Sequence, residues 1–194
     1  AAHFPHKPFL VKPNRGGKGA GVQLFQDAED LRQQLSQGQA GIASLDGIML
    51  LQQYASPASG HIVRLEFIGG QFYYAVQVDA SGGFELCPAD QCEPGEAAAA
   101  QAASPGSNGF RILKDYQDAA IPRYEEFLAR NGIEVGAIEY TEDAAGDRFV
   151  YDVNINTNYN AAAETAAGAG YSGMGRIAAF LGQELKQLTM ADPG

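Results

Sequence analysis

The sequence predicts an α+β fold with mainly antiparallel sheets. Polar and apolar residues alternate along segments joined by short turns, at 61–70 with 71–87 and again within 133–156, as expected for β-hairpins. Apolar residues recur at helical spacing in 27–38, 115–132 and 176–188. Hairpins pair their strands antiparallel, and separate helices beside such strands are typical of the α+β class.

Local patterns in the first 55 residues predict three short strands, a glycine loop and a helix. We expect, in chain order, a strand over 8–13, a glycine loop over 14–21, a strand over 22–25, a helix over 27–38 and a strand over 47–55. The loop contains four glycines and connects its two strands as a hairpin. Asp27 is the expected N-cap of the helix, and Gly38 is expected to end it.

The rest of the chain, residues 56–194, shows a different pattern from residue 61 onward. Its elements are a hairpin over 61–87, a surface loop over 93–109 with room for a short alanine helix, a helix over 115–132, a hairpin over 133–156, a small-residue linker over 161–175 and a helix over 176–188. The middle helix is expected to be capped near Asp115. Pro122 leaves two alternatives there, a kinked helix or a helix that starts at the proline.

Charge is distributed unevenly along the chain. The formal net charge is −10, which argues against general nucleic-acid binding because such binding depends on basic surfaces. No acidic residue precedes Asp27, whereas four basic residues do: Lys7, Lys12, Arg15 and Lys18. The beginning of the sequence is therefore expected to attract anions.

Other features limit the class of protein. No apolar run approaches the roughly 18 residues that a membrane-spanning helix needs, and no signal-peptide pattern opens the sequence. Cys87 and Cys92 are too few for a disulfide framework and lack the spacing of a zinc knuckle. We expect reduced thiols in a cytoplasmic protein without membrane or nucleic-acid partners.

The stretch 151–160 carries four asparagines and one aspartate among strand-forming residues. Asn and Asp are rare in strands, so these side chains need solvent or a ligand. Side chains alternate between the faces of a strand, which puts Asp152 and Asn154 on one face and Tyr151 on the other. If the hairpin loop has four residues, Glu139 joins Asp152 and Asn154.

This group of oxygens has two interpretations. Close carboxylates repel each other unless a cation or a proton lies between them. An all-oxygen set suits Mg²⁺ or Mn²⁺, so Glu139, Asp152 and Asn154 could hold a hard metal ion. The alternative is the ordinary solvent face of an edge strand.

The glycine loop has two interpretations as well. Glycines let backbone N–H groups approach an anion closely, and Lys12 places a positive charge nearby. The loop matches neither the P-loop nor the dinucleotide-binding pattern, and a strand follows it instead of a helix. It either contacts phosphate or is simply a flexible hairpin turn.

Taken together and in this order, three segments resemble the ATP-grasp family, in its carboxylate–amine ligase branch (alpha-L-glutamate ligase-like). They are 8–25, 50–70 and 132–160. The resemblance implies two α+β lobes with mainly antiparallel sheets around a nucleotide cleft, a small lobe over 1–55 and a large lobe over 56–194. It also implies that an N-terminal part of the family's fold is missing from this sequence.

The resemblance implies roles in nucleotide binding. Lys12 matches a strand lysine that contacts the nucleotide. The flexible loop that closes over the phosphates is matched by Gly16, Gly17, Lys18, Gly19 and Gly21. The adenine-binding segment between the lobes is matched by Gln52, Gln53, Tyr54 and Ala55, with Gln53 where the family usually carries a carboxylate.

The resemblance also implies catalytic and metal-binding roles. Arg64 matches an arginine beside the γ-phosphate and the acyl phosphate, and Arg111 matches a second active-site arginine. The metal ligands are matched by Glu139, Asp152 and Asn154.

The implied activity is an ATP- and Mg²⁺- (or Mn²⁺-) dependent ligation. A carboxylate is phosphorylated to an acylphosphate, and an amine then displaces phosphate; the substrates are small molecules or peptides. Three alternatives stay open: an ATP-grasp kinase that stops at phosphoryl transfer, a non-catalytic nucleotide-binding domain, and an α+β domain with accidental glycine and asparagine clusters.

Overall fold

The structure, a computed structural model, describes residues 7–16, 19–41, 43–80 and 109–191. Eight strands and four helices lie in these ranges. The strands form two antiparallel sheets, one of three strands and one of five, so the predicted α+β class is confirmed. Both cysteines, and almost all of the surface loop predicted over 93–109, lie outside the described residues.

The first sheet has the strand order β2-β1-β3. Its elements are β1 (Phe9–Pro13), β2 (Gln23–Phe25) and β3 (Met49–Gln53), with helix α1 (Ala28–Ser36) after β2. Asp27 caps α1 as predicted, because its side chain accepts hydrogen bonds from two N–H groups of the first turn. Phe9 and Phe25 stack with ring centroids 5.9 Å apart and form the core of this sheet together with Val11.

The second sheet has the strand order β6-β5-β4-β7-β8. Its strands are β4 (His61–Ile68), β5 (Gln71–Asp79), β6 (Phe110–Leu113), β7 (Val135–Glu142) and β8 (Arg148–Asn154). The predicted hairpins β4–β5 and β7–β8 both form, and β4 pairs with β7 at the centre. Gly69 and Gly70 both have positive φ in the tight β4–β5 turn, a conformation that favours glycine.

Helices cover both faces of the five-stranded sheet. Helix α2 (Ile121–Arg130) packs on one face through Leu128, against Leu65, Phe67, Ala75, Ile138 and Tyr140. Helix α3 (Ala161–Ala167) packs on the other through Ala163, against Ile62, Tyr74, Val76, Val78 and Ile112. We call these the α2 face and the α3 face. Because side chains alternate along a strand, neighbouring residues project toward different helices.

The helix predicted over 115–132 begins later than expected. It starts at Ile121, and Pro122 lies in its first turn, so the proline starts the helix and does not kink it. Proline is tolerated there because the first-turn N–H groups have no acceptor within the helix. The predicted cap near Asp115 is therefore wrong.

The linker predicted over 161–175 contains a helix. Asn160 caps α3 by accepting a hydrogen bond from the backbone N–H of Ala163. The small residues that suggested a linker let α3 lie close to the sheet, where Ala163 is buried. Composition alone did not distinguish these two uses of alanine.

Helix α4 (Gly173–Ala191) is the predicted C-terminal helix. Its Phe180 rests on Gly69, where an added Cβ would lie 3.0 Å from the ring. Leu181, Leu185 and Leu188 of the predicted apolar stripe are exposed. No helix in the described part of the chain is long and apolar enough to cross a membrane.

The β7–β8 hairpin departs from the predicted register. Its loop has five residues, 143–147, so the predicted four-residue loop is wrong. The pairing of Glu142 with Arg148 would, if continued evenly, place Glu139 opposite Tyr151. A β-bulge at Tyr151 adds one residue to β8, and Glu139 therefore pairs with Asp152.

Candidate active site

Three neighbouring strands bring charged side chains together on the α3 face. Arg64 of β4 pairs with Glu139 of β7, and Glu139 pairs with Asp152 of β8. Two positions along, Ala137 pairs with Asn154, which puts the amide on the same face. Directly paired residues have Cβ atoms about 4.5–5.5 Å apart. Arg64, Glu139, Asp152 and Asn154 therefore form one group, which we call the polar cluster.

Tyr151 reaches the polar cluster because of the bulge. Its hydroxyl donates a hydrogen bond of 3.0 Å to Oε2 of Glu139. Simple alternation had placed Tyr151 on the face opposite Asp152, and that prediction is wrong. Burial and the nearby charge of Glu139 raise the pKa of Tyr151, so the phenol stays protonated and remains a donor.

The side chain of Arg64 is buried on the α3 face and fixed by several contacts. It is only 9% exposed. Its Nε lies 2.7 Å from Oε1 of Glu66 and 3.9 Å from Oε1 of Glu139, although no acceptor is aligned with the Nε–H. Its Nη2 donates to the hydroxyl of Thr157 and to the carbonyl of Asn158. These contacts fix the guanidinium beside both carboxylates.

The carboxylates of Glu139 and Glu66 are buried, and burial disfavours their charged forms. Burial raises the pKa of Glu139; Arg64 opposes that rise, and the charge of Asp152 adds to it. Burial likewise raises the pKa of Glu66 to about 7, although Arg64 and Thr157 both act to lower it. A cation near Glu139 and Asp152 would relieve the repulsion between them.

The donor set fits a magnesium ion that is also bound by a ligand. No group of three or more His, Cys, Asp or Glu side chains within the described ranges is placed to hold a metal ion. Glu139, Asp152 and Asn154 supply only two carboxylates and one amide oxygen. Mg²⁺ is often bound in proteins by one or two carboxylates together with substrate phosphates. The residues fit such a shared site.

The asparagines of 151–160 serve more than one purpose. Oδ1 of Asn154 accepts a hydrogen bond of 2.8 Å from the backbone N–H of Asn156, and Asn160 caps α3. Local backbone hydrogen bonds therefore account for part of the asparagine content of this stretch. Asn154 is the amide that lies beside Asp152 on the α3 face.

Two predicted nucleotide contacts share a face of the three-stranded sheet. Lys12 pairs with Leu50, and Leu10 pairs with Gln52, so Lys12 and Gln52 lie opposite the face that carries Phe9. Gln53 pairs with Phe9 and is exposed at the edge strand. Beyond β3, the N–H of Tyr54 donates to the carbonyl of Pro8 and prolongs this pairing, and Ala55 follows it in the segment toward β4.

The glycine loop is described in part. Gly17 and Lys18 lie outside the described residues. Gly19 and Gly21 both have a φ of 75°, and the N–H of Val22 donates to the carbonyl of Gly19. The positive φ angles explain the glycines at these two positions, whereas nothing in the backbone of Gly16 demands one.

Arg111 lies apart from the polar cluster. It pairs with Gln77 on the α2 face, whereas its neighbour Ile112 pairs with Val76, which itself pairs with Arg64. Its Nε donates to Oε1 of Gln77 at 3.2 Å. A pocket of about 760 Å³ at this outer edge includes Arg111 but none of the polar cluster. The structure does not bring the two predicted arginines together.

Sequence reasoning missed Glu66 and Thr157. Glu66 is only 2% exposed, and its carboxylate contacts both Arg64 and Thr157. A signal was present, since Glu66 is a charged residue two positions from Arg64 in an otherwise apolar strand. Thr157 carried no such signal, because it follows β8 and meets Glu66 across 91 residues of sequence.

Comparisons with known proteins identify the fold. Neither the protein-family models nor the curated proteins include a match. Among solved structures the chain is similar to the D-cycloserine synthetase DcsG, with a TM-score of 0.59 and 19% identity over 93% of this chain and 56% of that one. It is also similar to a RiPP-associated ATP-grasp ligase of Chryseobacterium gregarium in complex with ADP and a leader and core peptide. That match has a TM-score of 0.57 and 14% identity over 92% and 49% of the two chains.

A third structure extends the same likeness. The macrocyclase MdnC bound with precursor peptide MdnA from Microcystis aeruginosa MRC matches with a TM-score of 0.52 and 13% identity, over 94% of this chain and 50% of that one. The chain has an ATP-grasp fold. It spans about half the length of these three structures. Within the ATP-grasp fold, the predicted boundary between lobes at residue 55 falls between the two sheets, and the lobe division stays a prediction.

Proposed function

We propose that the chain is the nucleotide-binding and catalytic part of an ATP- and Mg²⁺-dependent ligase that joins a carboxylate to an amine through an acylphosphate. The observation that carries this proposal is the polar cluster, in which Arg64 lies beside Glu139 and Asp152 on one face. The polyphosphate of ATP needs a fixed cation for its oxygens and carboxylates for its metal. The cluster offers both.

The structural neighbours support the same class of reaction. A ligase that shares the fold binds ADP and a peptide, and a macrocyclase that shares it binds a precursor peptide. These bound peptides favour carboxylates and amines of small molecules or peptides as substrates of the present chain.

The proposed reaction has two balanced steps. An oxygen of the substrate carboxylate attacks the γ-phosphorus of ATP, the bond to the β-phosphate oxygen breaks, and ADP leaves. The amine nitrogen then attacks the acyl carbon, phosphate departs with its electron pair, and the nitrogen loses a proton. The products are an amide, ADP and phosphate.

The chain contributes positioning and charge to these steps. Arg64 binds oxygens of the transferring phosphoryl group and stabilises their charge. Glu139, Asp152 and Asn154 would hold Mg²⁺, and the ion would supply positive charge to the phosphates. Lys12 binds the phosphates from the other sheet.

The remaining predicted residues keep their proposed roles in nucleotide binding. The loop at Gly16, Gly19 and Gly21 contacts phosphate through backbone N–H groups, and residues 52–55 contact adenine. Arg111 is exposed on the α2 face, away from the polar cluster. Its role as a second active-site arginine stays a prediction.

The test measures nucleotide binding and turnover separately. Thermal unfolding is followed with Mg²⁺ and a non-hydrolysable ATP analogue, and ADP release is followed with pools of carboxylates and amines. Binding to the folded state raises the unfolding temperature. We expect stabilisation that requires both Mg²⁺ and the analogue, and amide formation in proportion to ADP.

Glu139→Gln provides the decisive variant and Glu142→Gln its matched control. Glu142 lies on the same strand, is exposed, and projects to the α2 face. We expect Glu139→Gln to abolish turnover, while Glu142→Gln retains it. A stable phosphorylated product would identify a kinase instead, and the absence of any Mg²⁺ or nucleotide effect on the wild-type protein would refute the proposal.

A further inference from the structure

The buried carboxylate of Glu66 takes no part in the function proposed above. Glu66 lies on the α3 face of β4, two residues beyond Arg64, and is only 2% exposed. Burying a charge is costly unless it is paired and hydrogen-bonded. The partners of Glu66 therefore indicate why the chain carries a carboxylate there.

Glu66, Thr157 and Arg64 form a closed ring of contacts. Oε1 of Glu66 lies 2.7 Å from Nε of Arg64. The hydroxyl of Thr157 lies 3.0 and 2.9 Å from the two oxygens of Glu66, to which it donates. The same hydroxyl accepts a hydrogen bond from Nη2 of Arg64. Each member therefore restrains the other two.

This ring ties the segment after β8 to β4. Thr157 and Asn158 follow the strand that carries Asp152 and Asn154, and both accept hydrogen bonds from Nη2 of Arg64. With Nε facing Glu66 and Nη2 bound to this segment, Nη1 makes no hydrogen bond to any residue of the described ranges. Nε has no aligned acceptor either, but it is fully buried, so Nη1 is the donor left for a ligand.

We propose that Glu66 and Thr157 are positioning residues that hold the Arg64 guanidinium in one orientation, with Nη1 presented to the transferring phosphoryl group. The inference rests on the proposed function, because it assigns Arg64 a phosphoryl group to bind. A rigid donor requires less reorganisation in the transition state than a mobile one. Loss of the ring therefore lowers kcat more than it raises the KM for ATP.

The test uses Thr157→Val, Thr157→Ser and Glu66→Gln in the protein at pH 8, above the raised pKa of Glu66. We expect Thr157→Val and Glu66→Gln to lower kcat by about 10- to 100-fold. The KM for ATP should change much less. Thr157→Ser keeps the hydroxyl and should restore most of the activity.

Matched controls come from the same face. Thr141→Val removes a buried hydroxyl that has no hydrogen-bond partner among the described residues. Glu164→Gln alters a buried carboxylate that accepts from the hydroxyl of Tyr74 and the N–H of Gly173. We expect Thr141→Val to leave kcat and stability nearly unchanged, and Glu164→Gln to lower stability without lowering kcat.

A second measurement does not depend on turnover. In ¹⁵N-arginine NMR spectra, assigned with Arg64→Lys, the held guanidinium should give separate Nη signals, and these should merge in Thr157→Val. Kinetics of Thr157→Val and Glu66→Gln equal to wild type, or unrestricted Arg64 signals in the wild-type protein, would overturn the inference. Wild-type protein without ADP release but with restricted Arg64 signals would instead refute the proposed function alone.

Discussion

The hydroxyl of Tyr151 donates a hydrogen bond of 3.0 Å to the carboxylate of Glu139, although strand alternation predicts that the two side chains face opposite sides of the sheet. The β-bulge in β8 accounts for the contact. It places Tyr151 and Asp152 on one face, so that Glu139 has a hydrogen-bond donor and a second carboxylate beside it. A bulge thus sets the geometry of the polar cluster.

Tyr151→Phe should weaken both folding and metal binding. The variant removes the donor to Glu139, whose orientation and basicity then change. We expect a loss of about 1–3 kcal/mol in the free energy of unfolding. The Mg²⁺ concentration for half-maximal ATP turnover should rise about tenfold. Tyr73→Phe, which removes a hydroxyl bonded to the carbonyl of Gly170, is the control; an identical Mg²⁺ requirement in all three proteins would contradict this role.

Asp152→Asn should impair metal-dependent turnover without lowering the stability of the protein. Asp152 is exposed and raises the pKa of its neighbour Glu139, so the neutral variant relieves a repulsion in the metal-free protein. We expect an unchanged or higher unfolding temperature without Mg²⁺, and more than about 100-fold lower turnover with it. Asp147→Asn in the hairpin loop should alter neither quantity. Turnover of Asp152→Asn near the wild-type rate would show that the carboxylate holds no metal.

The stability of the protein should fall as pH rises from 5 to 8. Folding raises the pKa of Glu66 from its ordinary value of 4.5 to about 7 because burial outweighs Arg64 and Thr157, and Glu139 adds to the rise. A group whose pKa is higher in the folded state stabilises the protein fully at pH values below its pKa in the unfolded state. This stabilisation is lost as the pH rises through its pKa in the folded state. The slope contributed by one such group reaches about 1.4 kcal/mol per pH unit.

Urea unfolding without nucleotide measures this slope. Glu66→Gln should flatten it, leaving the part due to Glu139, whose pKa is also raised by burial. Parallel pH profiles for the variant and the wild type would show that Glu66 does not titrate in this range.

Gly21→Ala should impair nucleotide binding. Gly21 has a φ of 75°, and an added Cβ would lie 3.1 Å from Cγ of Pro13. Gly38 has a φ of 66° with open space around it. Gly38→Ala is therefore a control that introduces backbone strain without a steric contact. Both variants should lose about 1 kcal/mol of stability. Titration with an ATP analogue should show about tenfold weaker binding, equivalent to about 1.4 kcal/mol, only for Gly21→Ala. Equal affinities of the two variants would show that the glycine loop does not contact the nucleotide.

Much of the fold was predictable because the signals are local. The hairpin of Phe9–Pro13 with Gln23–Phe25, the cap at Asp27 and the three long helical patterns all follow from periodicity and turn residues. The sharing of one face by Glu139, Asp152 and Asn154 was also anticipated, but through a four-residue loop that does not exist. The fifth loop residue by itself would put Glu139 and Asp152 on opposite faces of the sheet. The bulge adds one more residue to β8 and returns them to the same face.

The amino-acid sequence by itself determined the described strands other than Phe110–Leu113, where glycine permits a turn, and which strands carry the charged and amide side chains, because each depends on neighbours a few positions away. Only the tertiary structure decided the register of β8, the face of Arg111, and the contact of Glu66 with Thr157. Those outcomes depend on strand pairing and on packing between distant segments, whose free energy is shared over the whole sheet and leaves no local pattern to read.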